Sequence, residues 1–236
     1  MNIHIILHES FEAPGAIATW AGSRGHSITY TRLYDKEHLP KDASGFDFLV
    51  IMGGPQSPAT TTDECSYFDV KKESALAKNA INNGKYVFGV CLGAQIIGEA
   101  LDAIFDHSPN REIGFFPIAL TEVGKNDPLL QGFPDTFVVG HWHGDMPGLT
   151  STSQILATSV GCPRQIVRYT PKVYGFQCHL EFTSESIEGM IANSGKELSD
   201  NAGLPYVWPA AKLRGHGCKP MNELLFTFLD RLTQQP

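Results

Sequence analysis

The stretch that decides the fold is Tyr86-Val-Phe-Gly-Val-Cys91-Leu-Gly-Ala-Gln95-Ile-Ile-Gly98. Its first residues, Tyr86–Val90, predict a strand buried on both faces, because β-branched and aromatic residues follow one another without polar alternation. After a turn that holds Cys91, the remainder predicts the first turns of a helix. Gly89 and Gly93 flank the cysteine and allow a sharp turn and the close approach of another segment. This is the strand–nucleophile–helix pattern of a nucleophile elbow, with cysteine in place of serine.

The position of Cys91 before a helix has two chemical consequences. The helix dipole stabilises a thiolate and so lowers the pKa of the thiol. The free amides of the first turn can also hold a developing oxyanion. The alternative is an unreactive structural thiol, since free cysteine is among the residues most often buried. A partner base elsewhere in the chain would favour the reactive interpretation.

Strands and helices alternate on the N-terminal side of this stretch. Strands are predicted at Ile3–Leu7, His26–Leu33 and Phe46–Met52, and helices at about Ala16–Arg24 and Tyr67–Asn83. Strands that alternate with helices at this spacing indicate βαβ units and a mostly parallel sheet.

After Leu101 the pattern changes to shorter segments. Strands are predicted at Ile113–Leu120, Thr136–Gly140, Gln154–Ser159, Gln165–Thr170 and Val173–Cys178, and helices at about Ser184–Ser199 and Asn222–Thr233. Leu204–Pro220 is rich in proline and glycine and is interpreted as a surface loop, with a cover for the active site or an interface as the alternatives. No repeat or linker divides the sequence, so we expect one domain over residues 1–236.

Composition excludes several classes of protein. The chain has 236 residues, of which 42% are hydrophobic and 18% charged, as in an ordinary globular protein. A formal net charge of −7, without a dense lysine and arginine cluster, argues against a nucleic-acid partner. Five scattered cysteines without a CxxC pair predict reduced thiols. Neither a signal peptide nor an apolar stretch of membrane-spanning length is recognised, so we expect a soluble cytoplasmic protein without membrane association.

A base for the cysteine is found in Gln177-Cys-His179-Leu-Glu181. Side chains two apart in a strand point the same way, so His179 and Glu181 are expected to lie side by side. The carboxylate then accepts from one imidazole nitrogen while the other nitrogen faces the thiol, which fixes the tautomer of the base. The alternative is a His–Glu pair at a solvated strand edge.

Gly53-Gly54-Pro55 follows the predicted strand Phe46–Met52. Ligands of open parallel sheets bind outside the carboxyl ends of the strands, so this loop is expected beside Cys91. Its glycines can expose an amide as a second oxyanion donor next to the amide of Leu92. Taken alone, a Gly-Gly-Pro sequence is usually only a turn.

A fourth segment reads Gly140-His141-Trp142-His143-Gly144-Asp145. His141 and His143 can share one face of a strand and so invite a metal site. No third ligand is evident, so we expect no metal. A loop that binds substrate is the favoured interpretation.

Together these four segments resemble the class I (triad type) glutamine amidotransferases over about residues 45 to 182. The resemblance implies an α/β fold with a flavodoxin-like, doubly wound, mostly parallel sheet and added short antiparallel strands. It also implies hydrolysis of the γ-amide of glutamine through a γ-glutamyl thioester. Cys91 would be the nucleophile, His179 the general base and then acid, and Glu181 the orienting carboxylate.

The resemblance also implies the residues that surround the substrate. Gly54 and Leu92 would supply the oxyanion amides. Gln95 and the stretch Trp142, His143 and Gly144 would hold the α-amino and α-carboxyl groups of glutamine. No cofactor is implied.

The sequence departs from the family pattern in two features, and the second indicates a subgroup within the family. The common His-Pro-Glu is replaced by His179-Leu180-Glu181, which is tolerable because Leu180 would point away from the triad. No synthetase domain is recognised after the amidotransferase motifs, and details such as Glu112-Ile-Gly114 resemble the stand-alone, GMP-synthase-like group. Some relatives in that group resemble γ-glutamyl peptidases.

Three functions therefore remain open at the level of sequence. The first is a thiol hydrolase that acts on glutamine or on γ-glutamyl conjugates. The second is an ammonia-donating subunit that needs a separate synthase as partner. The third is a non-catalytic regulatory module, against which the intact Cys91, His179 and Glu181 argue.

Overall fold

A nine-stranded sheet runs through the computed structural model, which describes residues 1–235. The strands are β1 (Asn2–Leu7), β2 (Ser27–Arg32), β3 (Phe48–Ile51), β4 (Tyr86–Val90), β5 (Asp106–Leu120), β6 (Thr136–Met146), β7 (Gln154–Thr158), β8 (Ile166–Thr170) and β9 (Val173–Phe176). Their order across the sheet is β2-β1-β3-β4-β9-β8-β7-β5-β6. The first five strands in this order, from β2 to β9, are mutually parallel, and every pairing beyond β9 is antiparallel.

Helices cover both faces of the parallel part. They are α1 (Gly15–Ser23), α2 (Val70–Asn82), α3 (Leu92–Ala100), α4 (Glu122–Lys125), α5 (Ser184–Asn193), α6 (Gly195–Asp200), α7 (Ala210–Arg214) and α8 (Lys219–Leu232). On one face, α1 and α8 pack over Phe48 and Phe88; on the other, α2 and α3 pack over Leu49 and Val87. Burial on both faces explains why β3 and β4 show no polar alternation.

The predicted fold class is confirmed. The parallel strands have the order of a flavodoxin-like, doubly wound sheet, in which ligands bind outside the carboxyl ends of the strands. The antiparallel strands β8, β7, β5 and β6 extend that sheet on the β9 side. Cys91 follows β4 directly and therefore lies at the carboxyl end of a central strand.

The C-terminal half departs from the prediction in several places. β5 begins at Asp106 instead of Ile113, and β6 continues to Met146 instead of ending at Gly140, so the two form one long hairpin. The segment Gly140–Asp145, expected as a loop, is thus part of a strand. The buried polar side chains of this hairpin hide its strand character, because they resemble loop residues in the sequence.

Three further segments differ from the prediction in their helices. The helix expected at Ser184–Ser199 is two helices, α5 and α6, separated by Ser194. Leu204–Pro220, expected as a loop, contains α7, and Val207 in it forms a bridge with Ile113 of β5. The four-residue α4 was not predicted, because one helical turn leaves no periodic pattern.

None of the helices between residues 1 and 235 combines the length and apolar composition needed to cross a membrane. The single domain expected over residues 1–236 stays a prediction, and its last residue, Pro236, lies outside the described residues.

Candidate active site

Cys91 forms a tight turn between β4 and α3. Its backbone, at φ 51° and ψ −111°, lies outside the regions that side-chain-bearing residues favour. A Cβ atom on Gly93 would lie 1.9 Å from the carbonyl oxygen of Ile51, and one on Gly89 would lie 2.3 Å from the carbonyl oxygen of Gly93. Both glycines are therefore required by close backbone approach. The amide of Cys91 donates to the carbonyl of Phe176 at 2.7 Å, which ties the turn to β9.

His179 is held from three directions. Its backbone exchanges two hydrogen bonds with Gly140 of β6, at 2.8 and 2.9 Å. Its Nδ1 atom lies 2.6 Å from Oε1 of Glu181, and its ring stacks on Phe182 at 4.1 Å between centroids. The strand predicted at Val173–Cys178 ends at Phe176. His179 is therefore positioned by its hydrogen bonds to Gly140 of β6, and not by a continuation of β9. Glu181 therefore orients the imidazole so that Nε2 is the nitrogen left for other partners.

Cys91 and His179 are both buried, at 7% and 1% exposure. Within residues 1–235, Nε2 of His179 has no regular hydrogen-bond partner, although the imidazole is near enough to favour the Cys91 thiolate. The Sγ atom instead lies 3.7 Å from the carbonyl oxygen of Trp142 and 3.4 Å from Nε2 of Gln177. Contacts between catalytic groups are often long before substrate binds.

The charges of this pair follow from their surroundings. Burial raises the pKa of the Cys91 thiol, and the His179 imidazole and the amide of Leu92 act in the opposite direction. Burial alone would lower the pKa of His179, but the Glu181 carboxylate and the Cys91 sulfur together outweigh it, so that the pKa rises to about 10. A proton that leaves the thiol is therefore held well by the imidazole.

The loop Gly53-Gly54 is positioned by a buried ion pair that sequence reasoning missed. Nδ1 of His8 lies 2.9 Å from the carbonyl oxygen of Gly53, and its Nε2 lies 2.8 Å from Oε2 of Glu73 in α2. His8 and Glu73 are 0% and 1% exposed. The only signal for His8 in the sequence is that a polar residue comes directly after the apolar run of β1.

Gly54 packs directly against the start of α3. A Cβ atom there would lie 2.8 Å from Cβ of His8 and 3.0 Å from Cδ2 of Leu92. Glycine thus allows this loop to lie beside the first turn of α3, whose first amides, those of Leu92 and Gly93, have no preceding helical carbonyl to bind. The two amides predicted to hold an oxyanion, those of Gly54 and Leu92, belong to adjacent segments.

A cavity of about 500 Å³ opens in front of Cys91. The structure gathers most of the predicted site residues around it: Gly54, Cys91, Leu92, Gln95, Trp142, His143 and Gly144. Glu181, the partner of His179, borders a small adjoining cavity. A larger cavity, of about 610 Å³, is lined by residues of α2 and of the segment 33–41 and does not include Cys91.

Gln95 and Gln177 form a chain of hydrogen-bonded amides that ends at Cys91. Nε2 of Gln95 donates to Oε1 of Gln177 at 3.1 Å, and Nε2 of Gln177 donates to Sγ of Cys91 at 3.4 Å. Oε1 of Gln95 is buried and has no partner within residues 1–235. Gln95 therefore keeps one acceptor for a ligand in the cavity. Gln177 was missed, although it belongs to the stretch that contains His179.

Trp142 connects the hairpin to α6. Its Nε1 atom donates to Oε2 of Glu197 at 2.9 Å, and Arg111 of β5 forms an ion pair with the same carboxylate. A Cβ atom on Gly144 would lie 2.8 Å from Nη2 of Arg111. The contact between α6 and the hairpin thus forms one wall of the cavity.

The expectation that the histidines lack a third metal ligand is wrong, because Glu112 of β5 supplies one. Its Oε2 atom lies 3.5 Å from Nδ1 of His141 and 3.3 Å from Nε2 of His143. Nε2 of Gln165 lies among them, donating to Glu112 at 2.7 Å and lying within 3.4 Å of both rings. The side-chain amide of Gln165 thus lies where these three side chains would bind a cation. The buried hydrogen-bond network holds β6, the strand that carries Trp142, in place.

Comparisons with known proteins show which family the chain resembles. Residues 15–197 match the family model described as glutamine amidotransferase class-I. The chain is 51% identical over 233 residues to the glutamine amidotransferase-like protein YfeJ of Salmonella typhimurium, with 99% of this chain and 98% of that protein covered. A glutamine-hydrolysing GMP synthase of Aeropyrum pernix is 28% identical over 180 residues, which cover 73% of this chain and 30% of the synthase.

Solved structures show the same relationship. The crystal structure of SMU.1228c superposes with a TM-score of 0.97 at 50% identity, covering 99% of this chain and 100% of that one. A glutamine amidotransferase of Thermotoga maritima has the same fold, with a TM-score of 0.86 at 21% identity, over 100% of this chain and 99% of the other. The family model covers most of the sequence and includes the turn at Cys91, the two segments predicted to hold an oxyanion and the His179–Glu181 pair. The chain belongs to the class-I glutamine amidotransferase family.

Proposed function

We propose that the protein is a cysteine-dependent hydrolase that cleaves the γ-amide bond of glutamine and releases glutamate and ammonia. One observation carries this proposal. A strained cysteine at the edge of a cavity has an oriented His–Glu pair behind it and two candidate oxyanion amides beside it. Membership of the family supports the same chemistry.

In the first half of the proposed reaction, Sγ of Cys91 attacks the γ-carbonyl carbon while Nε2 of His179 takes the thiol proton. The carbonyl oxygen becomes an oxyanion, which the amides of Gly54 and Leu92 stabilise. When this intermediate collapses, the carbon–nitrogen bond breaks and His179 gives its proton to the leaving nitrogen. Ammonia departs and a γ-glutamyl thioester remains on Cys91.

In the second half, water attacks the thioester carbon and His179 takes a proton from the water. The carbon–sulfur bond breaks, glutamate is released, and the proton returns to the sulfur. Glu181 takes no proton in either half, because its role is to hold the imidazole in the productive tautomer. Gln95, Trp142, His143 and Gly144 are the proposed contacts for the α-amino and α-carboxyl groups, and the unpartnered Oε1 of Gln95 supports this role.

An ammonia-donating subunit is the second candidate. It is favoured by the match to glutamine-hydrolysing GMP synthases, of which the chain covers about a quarter to a third of the length. In that case a separate synthase would consume the ammonia. A γ-glutamyl peptidase uses the same steps with a larger leaving group, and the cavity of about 500 Å³ has room for one.

Glutamate release by the purified protein tests these candidates. Glutamine is compared with γ-glutamyl dipeptides and other conjugates, with the Cys91→Ser variant as the blank. Release from glutamine supports the glutaminase, and release from conjugates alone supports a peptidase. If no substrate gives release that depends on Cys91, the hydrolase proposal fails for the isolated chain and a synthase partner or a regulatory role is sought.

A further inference from the structure

Glu12 differs from the other carboxyl groups of the cavity. The cavity is lined by four carboxyl side chains, those of Glu12, Asp145, Glu197 and Asp200. Three of them form ion pairs: Asp145 with His107, Glu197 with Arg111, and Asp200 with Lys196. Within residues 1–235 the carboxyl of Glu12 forms neither an ion pair nor a hydrogen bond. Among the carboxyl groups of this cavity, it is the one that remains for a ligand.

Glu12 lies close to the nucleophile. A Cβ atom built on Gly53 would be 2.3 Å from Oε2 of Glu12 and 3.5 Å from Cβ of Cys91, so both side chains border the same glycine. Glu12 also borders the small adjoining cavity together with Glu181. The carboxyl therefore lies on the side of Cys91 that carries the His179–Glu181 pair.

The proposed reaction directs the leaving group to this side. The carbonyl oxygen of the substrate turns toward Gly54 and Leu92, and the leaving nitrogen takes its proton from His179. The nitrogen and its substituent must therefore lie near the imidazole, on the side where Glu12 is found.

We propose that Glu12 forms the leaving-group subsite and selects γ-glutamyl amides of ammonia and of cationic amines over those of amino acids. This inference rests on the proposed hydrolase function. The carboxylate accepts hydrogen bonds from N–H groups and attracts an ammonium substituent. The carboxylate of an amino acid leaving group would be repelled by it.

The surroundings of Glu12 make this selectivity depend on pH. Burial raises its pKa to about 7, against the opposing influence of His179 and His8. Glu181 and Glu9 raise the same pKa, and Cys91 faces the carboxyl from the elbow. The carboxyl is mostly neutral at pH 6 and mostly ionised at pH 8, so the preference for cationic leaving groups is expected to grow across this range.

Two γ-glutamyl amides of similar size test the subsite: one with ethylenediamine, which is cationic, and one with glycine, which is anionic. The ratio of their kcat/KM values is measured from pH 6 to pH 8 in the unmodified protein and in Glu12→Gln. Titration of the triad affects both substrates and cancels in the ratio. We expect the ratio to rise about tenfold in the unmodified protein and to stay flat in Glu12→Gln.

Asp200→Asn is the matched control, because it removes a carboxylate from the rim of the same cavity, where Asp200 is exposed. The Asp200→Asn variant should show the same rise in the kcat/KM ratio between pH 6 and pH 8 as the unmodified protein. A ratio that is independent of pH in the unmodified protein, or a rise that persists in Glu12→Gln, overturns the subsite. If Glu12→Gln does not fold, Glu12→Asp replaces it, and the rise should shrink because the carboxylate is withdrawn.

The experiment separates this inference from the proposed function. If neither amide gives glutamate release that depends on Cys91, the proposed hydrolase function itself is contradicted. Release from both amides with equal preference at every pH contradicts only the role of Glu12.

Discussion

Cys91 has a strained backbone at the position proposed for the nucleophile. Its φ of 51° lies in the left-handed region, which costs a residue with a side chain about 1 to 3 kcal/mol. The hydrogen bond from its amide to Phe176 and the packing of Gly89 and Gly93 hold the turn in place. The strained turn presents Sγ to the cavity and leaves the amides of α3 beside it.

Cys91→Ser should abolish glutamate release and thioester formation while leaving the fold intact, because serine is nearly the same size but a far weaker nucleophile here. Intact-mass measurement after mixing with substrate checks for the thioester, and circular dichroism checks the fold. Activity equal to that of the unmodified protein would exclude the proposed mechanism.

Removal of the base should cost more than removal of its partner. His179→Ala is expected to lower kcat by about 10²- to 10⁴-fold, the usual contribution of a general acid–base group. Glu181→Gln should cost less, because its carboxylate orients the imidazole without transferring a proton. Steady-state kinetics of both variants check the order, and a larger loss in Glu181→Gln would contradict it.

Glu12 should also leave a signature in stability. Its pKa rises from 4.5 to about 7 on folding, so ionisation is disfavoured in the folded state and the free energy of unfolding falls as pH rises between these values. Above pH 7 the free energy of unfolding should be lower by about 1 to 3 kcal/mol. This is less than the full effect of the pKa shift, because the side chain is only partly buried.

Urea unfolding at pH 5 and pH 8 measures this effect. In Glu12→Gln the decrease between the two pH values should be smaller by that amount. Asp63→Asn, at an exposed position, controls for the loss of one negative charge. An equal decrease in Glu12→Gln and the unmodified protein would show that the carboxyl is not destabilised by folding.

At the scale of elements, the site depends on the contact of α3 with β3. The first turn of α3 lies so close to the end of β3 that only glycine fits at position 93. The ion pair of His8 and Glu73 adds a second connection, from α2 to the loop that carries Gly54. These contacts place Gly54 next to Leu92, the two residues whose amides are the candidates for holding an oxyanion.

Gly93→Ala should therefore destabilise the fold by about 3 kcal/mol or more, because the new Cβ atom would overlap the Ile51 carbonyl and backbone must shift. Gly22→Ala is the matched control, since nothing lies within 4 Å of a Cβ atom there and α1 should gain up to about 1 kcal/mol. Chemical unfolding of both variants measures the difference. Similar stability in the two would contradict the close approach.

At the scale of the molecule, one sheet connects all strands of the described chain. Its parallel part is covered on both faces, and the β5–β6 hairpin at its far edge carries Trp142 and His143 to the cavity. Asp230 of α8 binds both Trp20 and Arg24, which fastens the C-terminal helix to the start of the chain. The site is thus built from segments that are distant in the sequence.

This continuity predicts one cooperative unfolding transition. The calorimetric enthalpy should equal the van't Hoff enthalpy, and far-ultraviolet circular dichroism should report the same midpoint as tryptophan fluorescence. Two separate transitions would instead indicate that the antiparallel strands form an independent domain.

The sequence by itself determined the parallel half of the fold and the residues proposed for the triad. Apolar runs, the glycines around Cys91 and the pair His179 and Glu181 are local patterns, and each is visible within a few consecutive residues. The long β5–β6 hairpin was only partly predicted. Its buried polar residues resemble loop residues in the sequence. Only the folded chain brings them together with the hydrogen-bond partners Glu112 and Gln165.

Tertiary structure alone decided the neighbours of Cys91. His8, Gln177 and Glu12 have no periodic pattern that distinguishes them, and their roles follow from what surrounds them after folding. Burial, hydrogen bonding and pKa depend on groups brought from distant parts of the chain, whereas helix and strand formation depend largely on adjacent residues. For this reason the sequence predicts the elements and the nucleophile, and the folded chain determines the electrostatics around it.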